Sequence, residues 1–235
     1  MKIGFDVISD LNLDAEDEFD WDGKATSLYL IIAGNISNDL RVVHQTLFHL
    51  SRFYQGVFYI AGSSEHESMH FVKHRHGELT KLCRAISNVA YLYNHVVIIN
   101  GIAILGCNGW YGNKIEMELD SELEKLHLHA QHLEDIQYLG LSLEKLQLHL
   151  DVKKILVVTH SAPSPKLFFG EEPHNITEYF ALKDALLSDT EFKVSHWVYG
   201  SYDKNVDTTI DNINYINNSC FGKEPYWPKR IDIEI

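Results

Sequence analysis

The segment LYLIIAGNISNDL, residues 28–40, decides the fold class. LYLIIA reads as a buried strand, Gly34 and Asn35 form a turn, and Asp39 opens a helical pattern that runs over residues 39–53. The same alternation recurs on both sides. KIGFDVIS precedes it, GVFYIA follows, and a second helix is predicted over residues 67–86. Next come AYLY, HVVIIN and IAILGC, separated by Asn-His and Asn-Gly and expected to be neighbouring strands. KKILVVTH, HWVYG, TIDNINYIN and RIDIEI complete the strand set. Short strands alternating with amphipathic helices define an α/β domain, expected to be a single one over residues 1–235.

Between the two strand groups, residues 116–150 are predicted to be helical. Leu119, Leu123, Leu126, Ala130 and Leu133 step by four and three, and Leu139, Leu143, Leu146 and Leu150 repeat the step beyond a shift near Gly140. Two helices packed on the core account for this spacing. The alternative is a homodimer seam, since the run is short for a coiled coil.

Composition narrows the function classes. The chain is 45% apolar and 23% charged, ordinary for a globular domain. Thirty-three acids against 20 bases give a formal charge of −13, which disfavours nucleic acid and anionic membrane surfaces as partners. No apolar run approaches the roughly 20 residues of a membrane helix. Residues 1–10 carry Asp6 and Asp10 where an export signal needs an apolar core. Three widely spaced cysteines, Cys83, Cys107 and Cys220, suit buried thiols in a reducing compartment, so a cytoplasmic location is expected.

Five strands end in polar residues: ISDLN at 8–12, AGNIS at 33–37, AGSSE at 61–65, VTHSAPS at 158–164 and YGSYD at 199–203. Ligands of α/β sheets sit beyond such carboxyl ends. The order and spacing of these tips resemble the calcineurin-like metallophosphoesterase family. That resemblance implies two packed mixed sheets flanked by helices and, in the family, a pair of bridged metal ions that hydrolyses phosphate esters. Position by position, Asp10 matches the first aspartate, while Asn12 stands where the motif has histidine. Asn35 takes the place of the bridging aspartate and Asn38 that of the second acid. Ser63 and Ser64 stand for the metal-binding asparagine and the catalytic histidine, Glu65 fits the closing acid, and His160 fits the lone histidine ligand. Ser201 and Asp203 replace the two histidines of the last motif.

Asn35 is the decisive departure. Two dications about 3.5 Å apart repel by roughly 19 kcal/mol at an effective dielectric near 20, so a dinuclear centre needs a shared anion. An asparagine has the size of that anion and none of its charge. The resulting expectation is a pseudoenzyme with a dismantled metal centre, without cofactor, acting by binding a protein or a phosphate-bearing ligand. The alternative is a phosphoesterase using one Mg²⁺, Mn²⁺ or Ca²⁺ held by oxygens of Asp10, Asn12, Asn35 and Asp203. Trp110 and Tyr111 are candidates to line the cleft.

Two histidine groups compete with this reading. HESMH, His66 to His70, matches the H-E-x-x-H pattern of zinc proteases, and His74 extends it by one turn, but no third ligand is evident. His127, His129 and His132 form a similar group. Exposed helix histidines explain both.

Overall fold

A computed structural model describes residues 1–66, 72–110, 122–167, 193–223 and 225–235, and the account below concerns these. Two mixed β-sheets pack face to face, with helices on their outer surfaces. The first sheet contains β1 (Lys2–Ile8), β2 (Tyr29–Ala33), β3 (Gly56–Ile60), β4 (Val89–Tyr91) and β11 (Lys229–Glu234), in the order β11-β1-β2-β3-β4. Its first four strands are parallel and β11 is antiparallel to β1. The second sheet has the order β5-β6-β7-β8-β10-β9. These strands are β5 (His95–Ile99), β6 (Ile102–Gly106), β7 (Lys154–Val158), β8 (Val194–Tyr199), β9 (Val206–Ile210) and β10 (Ile213–Asn217).

The apolar runs are buried on both faces because each sheet is covered on both. Ile31, Ile60, Phe5 and Val7 face Ile104, Leu156, Val158 and Val198 across the sandwich. On the outside of the first sheet, Leu30, Ile32, Val57 and Tyr59 pack against α1 (Leu40–Ser51) and α2 (Val72–Arg84). Helix α1 starts where the sequence places it: the Asp39 side chain caps it by accepting the Arg41 N–H at 2.8 Å. Val43, Leu47 and Leu50 form its buried stripe. The outside of the second sheet meets α3 (Glu122–Leu148) through Leu105, Val157 and Trp197.

Three local expectations change. AYLY and HVVIIN are not neighbours, because β4 ends the first sheet and β5 begins the second, with Asn94 at φ 45° between them. TIDNINYIN is not one strand but an antiparallel hairpin, β9–β10. Its turn residues Asp211 and Asn212 both adopt positive φ, the geometry a tight hairpin turn requires. The helical region is one continuous helix over its described part, not two. Its buried side is Leu128, His132, Asp135, Leu139, Leu143 and Leu146, so Leu126, Ala130 and Leu133 lie outside the core the sequence assigned them to.

Candidate functional site

The carboxyl ends of β1, β2, β3, β7 and β8 converge. The backbone N–H of Asp10 donates to the Gly34 carbonyl at 3.0 Å and that of Asn12 to the Asn35 carbonyl at 2.9 Å, joining the first two tips. His160 Nδ1 lies 2.7 Å from the Ala33 carbonyl, which brings the β7 tip across from the other sheet. Gly34, Gly62 and Gly200 make room for this approach. A Cβ on Gly62 would meet His160 Cε1 at 2.7 Å, and one on Gly200 would meet Asp10 Oδ2 at 3.1 Å.

Among the described residues, four of the eight non-glycine positions with positive φ lie here: Asp10, Asn12, Asn35 and Ser201. The left-handed region is tolerable for Asn and Asp and costly for Ser, and such outliers concentrate at functional sites. With φ at 59°, Ser201 turns its N–H onto the Asp10 carboxylate, 3.3 and 3.2 Å from its two oxygens.

The side chains are occupied with one another. Asn35 Nδ2 donates to Asp10 Oδ1 at 3.0 Å, and Asn35 Oδ1 accepts the Ser64 N–H at 2.8 Å and the Ser63 hydroxyl at 3.5 Å. Ser64 Oγ donates to Asn12 Oδ1 at 3.0 Å. The neighbours fix the amide orientation: turning it over would set oxygen against carboxylate and N–H against N–H. An Asn35 amide that aims its NH₂ at Asp10 puts a donor where a bridging anion would have to be. This donor set therefore does not fit a bridged pair of cations. Among the described residues, no group of three or more His, Cys, Asp and Glu side chains is arranged to hold a metal ion. Burial pushes the Asp10 carboxyl above the usual carboxylate range, only partly offset by nearby His160 and by hydrogen bonds from Ser9, Asn35 and Ser201.

Glu65 has a structural task. It is fully buried, and its carboxylate accepts three backbone N–H groups, from Gly62 at 2.6 Å, Ile36 at 2.6 Å and Asn35 at 3.1 Å, clamping the β2 and β3 tips together. Since the Ala33 carbonyl only accepts, His160 carries its proton on Nδ1. Its Nε2 is buried without a hydrogen-bond partner. Asp203 is exposed on the loop after β8, and its backbone carbonyl accepts from Lys223 Nζ at 3.5 Å. Asn38 sits just before the α1 cap. Tyr111 lies outside the described residues, as do Glu67 and His70 of the H-E-x-x-H string.

Trp110 is buried, its ring 5.2 Å from that of His66, and its backbone N–H donates to Asp135 Oδ2 at 2.9 Å. His66, expected on an exposed helix face, is instead 7% exposed, and neither ring nitrogen has a hydrogen-bond partner. Its ring packs on His76, which in turn stacks on Tyr93. Burial drives His66 down to about 3 and His76 to about 2, so both are neutral. His132 is buried against the Trp110 carbonyl, while His74 and His129 are exposed. Asp135 is fully buried, its pKa raised to about 7 by burial despite N–H donors from Trp110 and Gly109.

Sequence reasoning missed Asn108. Its Nδ2 donates to the Ala61 carbonyl at 2.7 Å and its backbone carbonyl accepts the N–H groups of His160 and Ser161, so it ties the β3, β6 and β7 tips. The Asn-Gly pair after IAILGC was the available signal, legible as a turn but not as a bridge.

No protein-family model and no curated protein matches the chain. Solved structures do. The phosphopantetheinyl hydrolase PptH of Mycobacterium tuberculosis is 14% identical, with a TM-score of 0.68 over 98% of this chain and 96% of that one. A putative 5′-nucleotidase of Staphylococcus aureus is 12% identical, with a TM-score of 0.58 over 100% of this chain and 51% of that one. The fold is thus the phosphoesterase-like α/β sandwich, the architecture the strand tips implied. At this identity the likeness concerns the fold alone.

Proposed function

We propose that the chain is a phosphoesterase-fold protein that works by binding rather than by hydrolysis, with a hydrogen-bonded polar cluster in place of a dinuclear metal centre. One observation carries this reading: the Asn35 amide faces the Asp10 carboxylate and satisfies it. Cations are not required to neutralise the cluster, because Asp10 is served by the Asn35 amide and the Ser201 N–H, and Glu65 by backbone donors. Although the structural neighbours are named for phosphate-bearing substrates, a phosphate dianion here would meet two buried carboxylates and no Lys or Arg among the cluster residues. A protein partner suits this acidic chain better than a free phosphate ester does.

The test is metal analysis of protein prepared without a metal-affinity column, followed by phosphomonoester and phosphodiester assays with Mn²⁺ and Mg²⁺. The expected result is substoichiometric metal and no metal-dependent turnover. Turnover that needs Mn²⁺ and disappears in both Asp10→Ala and Asp203→Ala would establish the single-ion phosphoesterase instead.

A further inference from the structure

Helix α1 and the loop that follows β1 enclose a cleft of about 370 Å³ on the outer side of the first sheet, and every residue lining it is among those described. Phe48, 57% exposed, and the half-buried Phe19 give it aromatic surface. Thr46 lies at its base, 4% exposed. A helical threonine commonly returns its hydroxyl to the carbonyl one turn back, as Thr80 of α2 does to His76 at 2.7 Å. The Thr46 hydroxyl makes no hydrogen bond among the described residues and is left facing the cleft.

The loop reads LDAEDEFDWD, residues 13–22. Its apolar members anchor it: Leu13 and Trp21 are buried, and the Phe19 ring stacks on Trp21 at 5.8 Å. Its carboxylates, Asp14, Glu16, Asp17, Glu18, Asp20 and Asp22, are all exposed. Asp14 and Asp17 line the cleft, and the other four lie along the loop outside its lining. Arg52 also lines the cleft and is outnumbered by these acids. Anchored acids beside an aromatic slot attract cations and repel carboxylates and phosphates.

We propose that this cleft is the docking site for a basic segment of a protein partner, with one arginine side chain laid against Phe19 and Phe48. A guanidinium is planar, so its face rests on the rings while its N–H groups donate to Thr46 Oγ1 and the Asp14 carboxylate. A lysine ammonium offers the acids a charge but the rings no flat face. The cleft has room for one long side chain, and Glu16, Glu18, Asp20 and Asp22 remain for neighbouring basic residues. A segment, not a free guanidinium compound, is therefore the occupant. This gives a chemistry to the partner proposed above. It is read by binding alone, so it can fail while the strand-tip reading stands, and the reverse.

The experiment is an NMR titration of the ¹⁵N-labelled full chain with the capped peptide acetyl-Gly-Lys-Arg-Lys-Gly-amide, with the same peptide carrying citrulline for arginine, and with agmatine. It is run on the wild type, Thr46→Val and Phe48→Ala, which leave every charge in place. Saturable shifts centred on residues 13–19 and 42–52 are expected, with a Kd on the order of 0.1–1 mM. Thr46→Val should weaken binding at least about threefold and Phe48→Ala at least about fivefold. Citrulline and agmatine should each bind at least about tenfold more weakly than the arginine peptide. Phe48 is exposed, and unchanged circular dichroism confirms that both variants fold. No binding, or shifts spread over the acidic surface and indifferent to both substitutions, overturns the proposal, as does agmatine binding as tightly as the peptide.

Discussion

Placing a negative charge at position 35 should damage the protein unless a cation accompanies it. Asn35→Asp preserves size and turns the group 3.0 Å from Asp10 Oδ1 from a donor into an acceptor. Two carboxylates about 4 Å apart repel by about 4 kcal/mol at an effective dielectric near 20. Losing a hydrogen bond to a charged acceptor adds about 1.5–3 kcal/mol. A proton shared by the pair relieves part of this, leaving a net cost of about 3–5 kcal/mol at neutral pH. For a chain of this length that is a fall of roughly 6–20 °C in Tm. The pair's apparent pKa is raised, so the folded variant holds a proton that the unfolded chain releases, and the deficit shrinks as pH falls. Urea unfolding of both proteins at neutral pH and near about pH 5, with EDTA or Mn²⁺, reads all of this. Mn²⁺ should restore part of the loss in the variant and leave the wild type unchanged. Equal stability of the two proteins in EDTA at neutral pH would refute the charge argument.

Three further expectations concern the frame of the site. Asp135, raised to about 7 by burial, binds a proton in the folded state that the unfolded chain has lost, so its contribution declines as pH rises from about 4 to 7. Asp135→Asn should remove that decline, so that the variant gains on wild type by up to about 4 kcal/mol across this window and holds the gain above it, as measured by urea unfolding at several pH values. In Gly62→Ala the new methyl would collide with Asn35 and with His160 Cε1 at 2.7 Å; a loss of about 2–3 kcal/mol and shifted His160 ring resonances in NMR spectra are expected. Asn108→Ala leaves the Ala61 carbonyl without its side-chain donor and should cost about 1–3 kcal/mol in chemical denaturation, with faster amide exchange at the β3 and β7 tips.

The strands were legible because parallel strands covered on both faces read as unbroken apolar runs, as LYLIIA, GVFYIA and KKILVVTH do. Asn35, Ser63, His160 and Ser201 were legible by position, since each follows a strand end. What escaped depends on contacts distant in sequence. Nothing near Asp135 shows that it meets the Trp110 backbone N–H 25 residues earlier. His66 looked like a helix-surface residue because its burial comes from His76 and Trp110. In α3, leucines on two sides offered two apolar stripes of similar spacing. Periodicity could not tell which one faces the sheet, and tertiary packing chose the stripe through Leu139.

The left-handed backbone at Asp10, Asn12, Asn35 and Ser201 is held by the protein's own hydrogen bonds. A loop architecture bent in advance, with no need of an ion to shape it, is a ready chassis: new side chains can be grafted onto these positions without first paying to mould the main chain around them.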